Sequence, residues 1–180
     1  MVSLDTKALV WKSIRAERAK GRAYQPRFSS AEILASWAGG LIAIAGLGAI
    51  SAWSHYPLIA APFGASTVLL FGHPSSPLSQ PRNIVLGNTL AAVISTAAVA
   101  WLGHSFLVMG LAVGVTIALG QRLRCLHPPA GAVALLGVLL HAKPVFVLTP
   151  VLSGSVLLVL IAVAYHRLRP SSGIYPHHWL

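Results

Sequence analysis

The chain has 180 residues, of which 56% are hydrophobic and only 9% are charged, and its formal net charge is +10. Soluble domains contain about a quarter charged residues, so this composition excludes an ordinary soluble domain and indicates a protein surrounded by lipid. The length suits one compact domain, and the single cysteine, Cys125, excludes an intrachain disulfide.

Acidic and basic residues are unevenly distributed along the chain. All three acids, Asp5, Glu17 and Glu32, precede residue 33, and the first 30 residues are rich in lysine and arginine. This enrichment is typical of the cytoplasmic flank of a membrane span, and we prefer it to nucleic-acid binding. Residues 1–30 are expected to form a basic cytoplasmic head without a signal-peptide pattern, and hence to be retained. The head is either a weakly amphipathic surface helix or a mobile leader.

Six apolar segments follow the head. They cover residues 31–53, 57–72, 84–102, 105–120, 128–140 and 144–166. A helical crossing needs about 20 residues. The first, third and sixth segments are long enough, the fourth of the six is marginally so, and the second and fifth are short. The pattern predicts an all-α, polytopic membrane helix bundle at residues 31–168, followed by a C-terminal tail at 169–180.

Loop charges distinguish two topologies. If all six segments cross and the head is inside, every arginine after the head lies inside and only Lys143 lies outside. If the two short segments merely re-enter, Arg82, Arg122 and Arg124 move outside. The positive-inside rule favours six crossings of the cell (inner) membrane, with both termini in the cytoplasm.

The two short segments share the pattern Pro-x-Gly-Ala-x-x-x-Leu, which begins at Pro62 and again at Pro129. Each is the middle of a three-segment unit, and an odd number of crossings per unit predicts inverted three-helix repeats. A helix N-terminus presents free N–H groups and a partial positive charge, so two of them near the midplane would form an anion site. The alternative is that the small residues only permit close helix packing.

Polar residues beside the short segments extend this candidate site. Arg82 either attracts an anion or anchors a loop, Asn83 is placed to cap the helix of the third apolar segment, and His127 either responds to protons or is structural. Ser66 and Thr67 either line a path or bond back to their own helix. The candidate substrate-binding residues are Gly64, Ala65, Ser66, Thr67, Gln80, Arg82, Asn83, Asn88, Arg124, His127, Pro128, Pro129, Gly131 and Ala132.

Several chemistries lack the residues that they need. The apolar segments contain no Asp or Glu, which excludes a carboxylate-lined cation pathway and a general acid–base pair. The sequence has no convincing zinc spacing and no phosphate-binding glycine fingerprint. We therefore expect no enzyme activity, no metal and no cofactor, and a substrate that is an anion or a neutral solute.

Two long motifs resemble a known family. Residues 125–132, Cys-Leu-His-Pro-Pro-Ala-Gly-Ala, resemble the signature of the HPP family of small integral membrane proteins, and residues 62–71 and 74–83 resemble its other conserved block. The similarity covers about residues 31–166. It implies four membrane spans and transport of nitrite or a related small anion. Relatives often have a His where this chain has Asn88.

The leading hypothesis is a membrane transporter of a small monovalent anion, with nitrite implied by the resemblance. The anion would bind at the N-termini of the two short helices, Arg82 and Arg124 would steer it, and His127 would couple or gate its passage. The alternative is a non-transporting assembly or sensor protein that acts through helix association, because Gly110, Gly114 and Ala118 form a row of small residues. The expected partners are the lipid bilayer, the anion and further copies of the chain.

Overall fold

A computed structural model describes residues 4–24, 27–55, 60–169 and 174–179. Within these ranges the chain is helical and has no β-strand, which confirms the predicted all-α fold. The α-helices are α1 (Leu4–Tyr24), α2 (Ser30–Ser54), α3 (Pro62–Thr67), α4 (Pro81–Leu102), α5 (Phe106–Arg122), α6 (Pro128–Leu139) and α7 (Ser153–Leu168). A π-helical turn, Val68–Gly72, extends α3, and the stretch Val147–Leu152, which is kinked at the non-helical residue Thr149, precedes α7.

The chain divides into two compact units, Met1–Ile33 and Leu34–Leu180. In the first unit, α1 agrees with the helical alternative for the basic head, and the side chains of Leu9, Val10 and Trp11 on it are exposed. A capping box marks the start of α2. Its Ser29 N–H donates to Glu32 Oε2 at 2.7 Å, and the Glu32 N–H donates to Ser29 Oγ at 3.3 Å.

The helices of the second unit have two lengths, as the apolar pattern predicts. Three helical stretches of the described chain are long and apolar enough to cross a membrane, namely Ser30–Ser54, Pro81–Leu102 and Val147–Leu168. The helix Pro128–Leu139 rises only about 18 Å, whereas the hydrocarbon core is about 30 Å thick. The helix Pro62–Gly72 is similarly short, so each of these two helices is shorter than the hydrocarbon core is thick.

Helix α4 lies at the centre of the second unit and contacts α5, α6 and α7. One apolar core forms where α4 residues such as Ala91 and Ala92 meet Val133 and Val138 of α6. A second core joins Phe63 of α3 to α7 and α2; its other members include Ala43, Leu47, Leu70, Leu158 and Ala162. Large apolar side chains on the outside, Trp37, Trp101, Phe106, Leu107 and Leu160 among them, remain exposed, as is expected of a surface that faces lipid.

The two ends of this unit differ in charge. Short loops join α4 to α5 and α5 to α6, so α4 and α6 run in the same direction. Contacts at the start of α4, around Leu123 and at the end of α7 gather at one end, which carries Arg82, Arg122, Arg124, Arg167 and Arg169. We call this the basic end. The C-termini of α4 and α6 lie at the opposite end, and Lys143 follows the second of them.

Candidate functional site

The buried imidazole of His127 connects the two short helices. His127 immediately precedes α6 and is 2% exposed, and its Nδ1 atom lies 2.9 Å from the carbonyl oxygen of Leu78. Its Nε2 atom lies 2.8 Å from Oγ of Ser66 in α3. A carbonyl oxygen only accepts, so Nδ1 carries a proton and donates to Leu78. In the neutral ring, Nε2 accepts from the Ser66 hydroxyl. Through these two contacts, His127 holds α3, the loop after it and the start of α6 together.

The first turns of α4 hold the loop that carries His127. Arg82 Nη2 donates to the carbonyl oxygen of Leu123 at 3.0 Å, and Asn83 Nδ2 donates to that of Leu126 at 2.8 Å. Asn83 thus binds the neighbouring loop and does not cap its own helix, whose N-cap position is Gln80. The loop and α4 are close enough that a Cβ atom at Gly87 would lie 2.7 Å from the carbonyl oxygen of Cys125.

The charge of Arg82 has no counter-ion within the second unit. Residues 33–180 contain no Asp or Glu, and within the described chain the Arg82 Nε atom is buried without a hydrogen-bond partner. In the loop between α5 and α6, burial raises the pKa of the Cys125 thiol, and the positive charge of Arg82 partly offsets this rise. The guanidinium field therefore reaches the loop beside His127.

A cleft of about 380 Å³ lies on the other side of this loop. Helices α4 and α5 and the start of α6 line it, and its lining includes Gly87, Thr116, Cys125, His127 and Gly131. The lining is mostly apolar, so its few polar groups set its electrostatic character.

Some backbone N–H groups at the start of each short helix already donate hydrogen bonds to carbonyl oxygens of the chain. The Phe63 N–H donates to the carbonyl oxygen of Ala60 at 2.9 Å, and the Gly64 N–H donates to that of Ala61 at 3.1 Å. In α6 the first two residues are prolines without an N–H, and the Ala130 N–H donates to the carbonyl oxygen of His127 at 2.9 Å. These helices begin with tight turns, and one of them uses the Gly64 N–H, which lies among the donors predicted for an anion.

The structure brings some of the candidate residues together and places others elsewhere. Ser66, Arg82, Asn83, His127 and Pro128 surround the loop before α6, and Gly131 lines the cleft. Several other candidates are exposed; they are Gly64, Ala65, Arg124 and Ala132. Pro129 is buried within the start of α6.

Three further candidates are buried away from that loop. Gln80 Nε2 donates to the carbonyl oxygens of Pro74 and Ser76, so its role is to shape the loop after α3. Asn88 Nδ2 donates to Ser155 Oγ at 3.1 Å. Among the described residues, Asn88 Oδ1 and Thr67 Oγ1 are buried and have no hydrogen-bond partner.

Sequence reasoning missed the attachment of the C-terminal tail. The Tyr175 hydroxyl donates to the carbonyl oxygen of Ser79 at 3.0 Å, and the His177 N–H donates to Gln80 Oε1 at 2.9 Å. Burial raises the pKa of the Tyr175 phenol. No local pattern indicates a contact between residues 96 positions apart, although a tyrosine in a polar tail is a weak signal for one.

Taken together, an all-helical unit with an apolar exterior and partial helices that meet at a buried polar link is a multi-pass membrane protein. The family model for the HPP transmembrane region matches residues 25–176, and the chain belongs to this family. The resemblance noted in the sequence is thereby confirmed.

Two transmembrane proteins of Dictyostelium discoideum are similar to the chain. One is 37% identical over 125 residues, which cover 65% of this chain and 44% of that protein. The other is 35% identical over 125 residues, which cover 65% of this chain and 40% of that protein. The chain thus spans less than half the length of these curated relatives. No solved structure matches it.

Proposed function

We propose that this protein transports a small monovalent anion, and that nitrite is the first substrate to test. The observation that carries the proposal is the charge of Arg82, which lies in a membrane unit without carboxylate side chains. Arg82 is bonded to the loop whose residues Cys125 and His127 line a cleft of about 380 Å³. A positive charge that no protein group neutralises attracts an anion from water. The proposal assigns no catalytic step to the chain.

The start of α6 is the proposed binding region. The partial positive charge of a helix N-terminus favours an anion, and Gly131 permits a close approach of the ligand from the cleft. The first donors of both short helices close tight turns, so Arg82, together with the polar groups of the loop before α6, supplies the main attraction.

The link between Ser66 and His127 is the proposed gate. Helix α3 ends at the basic end whereas α6 begins there, so the two short helices run in opposite directions and meet at this bond. This supports two inverted halves, α2–α4 and α5–α7. Alternating access would then change the contact between the halves at Ser66 and His127.

The proposed orientation places the basic end in the cytoplasm. Arg82, Arg122, Arg124, Arg167 and Arg169 belong to this end, and positive residues are retained on the cytoplasmic side. In a bacterial host this is the inner membrane. Accessibility of single cysteines introduced at Ser75 and at Lys143, in a Cys125→Ser background, tests the orientation from each side of the membrane.

Reconstitution tests transport directly. Purified full-length protein in proteoliposomes is expected to accelerate entry of nitrite above the rate of protein-free liposomes. Formate and nitrate, added in excess, should compete, whereas sulfate should not, because its double charge costs more to desolvate. Nitrite entry no faster than in protein-free liposomes would contradict the proposal.

A second candidate function is assembly through helix association, which a specific surface of α5 favours. Gly110, Gly114 and Ala118 are exposed, and a Cβ atom at either glycine would meet open space. Small residues in such a row allow a second helix to approach closely. Under this proposal the protein forms a homo-oligomer through α5.

The oligomeric mass of the protein in detergent, measured together with nitrite transport, distinguishes assembly through α5 from anion transport. Gly114→Leu should convert the oligomer to a monomer, whereas Ala100→Leu on the exposed side of α4 should not. A wild-type monomer, or an oligomer that Gly114→Leu leaves intact, would contradict assembly through α5. An oligomer without nitrite transport would favour the assembly function over transport.

A further inference from the structure

Two exposed histidines are in contact at the end of the bundle opposite the basic end. His104 follows α4 and His141 follows α6, and the centroids of their imidazole rings lie 3.9 Å apart with the ring planes at 54°. Parallel α4 and α6 bring these two positions together, although they are 37 residues apart along the chain. Neither the anion site nor the proposed gate uses them.

The backbone at His141 is held in an unusual conformation. Its φ angle is +49°, in the left-handed region that favours glycine. The His141 N–H donates to the carbonyl oxygen of Val138 at 3.1 Å, and the Ala142 N–H donates to that of Gly137 at 2.8 Å. This pair of bonds is a Schellman motif, in which glycine or asparagine usually occupies the left-handed position. A histidine there costs conformational free energy, yet it places an imidazole against His104.

We propose that His104 and His141 together bind a divalent transition-metal ion, with Cu²⁺ preferred over Zn²⁺. Imidazole nitrogen suits both ions, and copper(II) binds nitrogen ligands more tightly. Two nitrogens that each lie about 2.0 Å from one ion are about 2.8 Å apart at the right angle that Cu²⁺ favours, and about 3.3 Å apart in a tetrahedral Zn²⁺ site. The two rings, whose centroids are 3.9 Å apart, would rotate about their side-chain bonds to bring one nitrogen of each to this separation.

The surroundings determine how tightly the ion is held. The described part of the chain has no group of three or more His, Cys, Asp or Glu side chains that would hold a metal, so water completes the coordination shell. Lys143, two residues after His141, adds a positive charge that opposes a cation. Both imidazoles are exposed, which lets the ion enter from the aqueous phase. The site is therefore accessible and exchangeable.

The bound ion would connect two loops. His104 lies in the connection from α4 to α5, and His141 lies in the connection from α6 to the stretch Val147–Leu152 before α7. A metal bridge between them restrains motion of these helix ends relative to each other. It stabilises the folded protein by mass action because the unfolded chain lacks the paired site.

Copper titration of the full-length protein without a polyhistidine tag tests this site. Calorimetry is expected to give one strong Cu²⁺ site per chain and a weaker Zn²⁺ site, and electron paramagnetic resonance should show nitrogen coupling to the copper. His104→Gln and His141→Asn should each weaken binding about tenfold or more. Asparagine is chosen at residue 141 because it tolerates the left-handed backbone.

Two further variants make the outcome decisive. His178→Gln, in the exposed tail at the basic end, should leave the strong site intact. The melting temperatures of His104→Gln and His141→Asn in the presence of EDTA should be no lower than that of the wild type, which would show that these variants fold. Unchanged copper affinity in the folded double variant His104→Gln/His141→Asn would overturn the proposal, as would loss of the strong site in His178→Gln.

Discussion

The Ser66 hydroxyl lies 2.8 Å from Nε2 of His127, and both side chains are buried. This contact links α3 to the residue that starts α6, across 61 positions of sequence. Since the other ring nitrogen of His127 is hydrogen-bonded to the carbonyl oxygen of Leu78, the imidazole has a partner on each side. The second unit therefore has a satisfied polar link at the meeting point of its two partial helices.

Removal of the Ser66 hydroxyl should destabilise this link. In Ser66→Ala the buried Nε2 atom of His127 loses its donor, and an unsatisfied buried acceptor costs about 1–3 kcal/mol. The melting temperature of the purified protein in detergent should fall. Thr89→Ala is the control, because the Thr89 hydroxyl donates to the Val85 carbonyl of its own helix and its loss should cost less. Equal melting temperatures for Ser66→Ala and the wild type would argue against the link.

The close packing of α4 on the loop before α6 predicts opposite effects at two glycines. A Cβ atom in Gly87→Ala would lie 2.7 Å from the Cys125 carbonyl oxygen and 2.9 Å from His127 Cβ. The loop must move, at a cost of about 1–3 kcal/mol. Gly114→Ala meets open space, so it should gain about 0.5–1 kcal/mol from the better helix propensity of alanine. Equilibrium unfolding in detergent measures both, and stabilisation by Gly87→Ala would contradict the packing.

The contact of the C-terminal tail at Tyr175 predicts a loss of stability that increases with the size of the group removed. Tyr175→Phe keeps the ring but removes the donor to the carbonyl oxygen of Ser79, which should cost about 0.5–1.5 kcal/mol. Tyr175→Ala also removes the packing against the His166 ring, whose centroid lies 5.1 Å away, and should cost more. Carboxypeptidase digestion of the C-terminus should accelerate in the same order. Trp179→Phe, at an exposed position, is the matched control, and identical digestion of all variants would exclude a docked tail.

Much of the fold is readable from the sequence because each helix boundary has a local cause. The segment predicted at 128–140 is the helix Pro128–Leu139, since its two prolines lack the N–H groups that a preceding turn would need. The segment predicted at 84–102 begins earlier, at Pro81, for the same reason. The segment predicted at 144–166 is interrupted at Thr149, whose non-helical φ of −140° separates α7 from the chain before it.

The candidate site was only partly predictable. Ser66, Arg82 and His127 were named from local patterns. Ser66 meets the His127 ring, but Arg82 and His127 also bind main-chain oxygens, those of Leu123 and Leu78. Carbonyl groups occur at every residue, so the sequence does not indicate which ones a side chain meets. The Gly64 N–H, one of the predicted helix-end donors, illustrates the same point, because it donates to the carbonyl oxygen of Ala61 in a tight turn.

Nitrite uptake by Arg82 variants tests the central claim, that an unneutralised arginine attracts an anion to this site. Arg82→Gln retains a donor for the Leu123 carbonyl oxygen but removes the charge, whereas Arg82→Lys retains the charge. Arg122→Gln, at the exposed end of α5, is the control. Initial uptake into proteoliposomes, compared at equal amounts of folded protein, should fall about tenfold or more in Arg82→Gln, and persist in Arg82→Lys and Arg122→Gln. Wild-type uptake by Arg82→Gln would contradict the account.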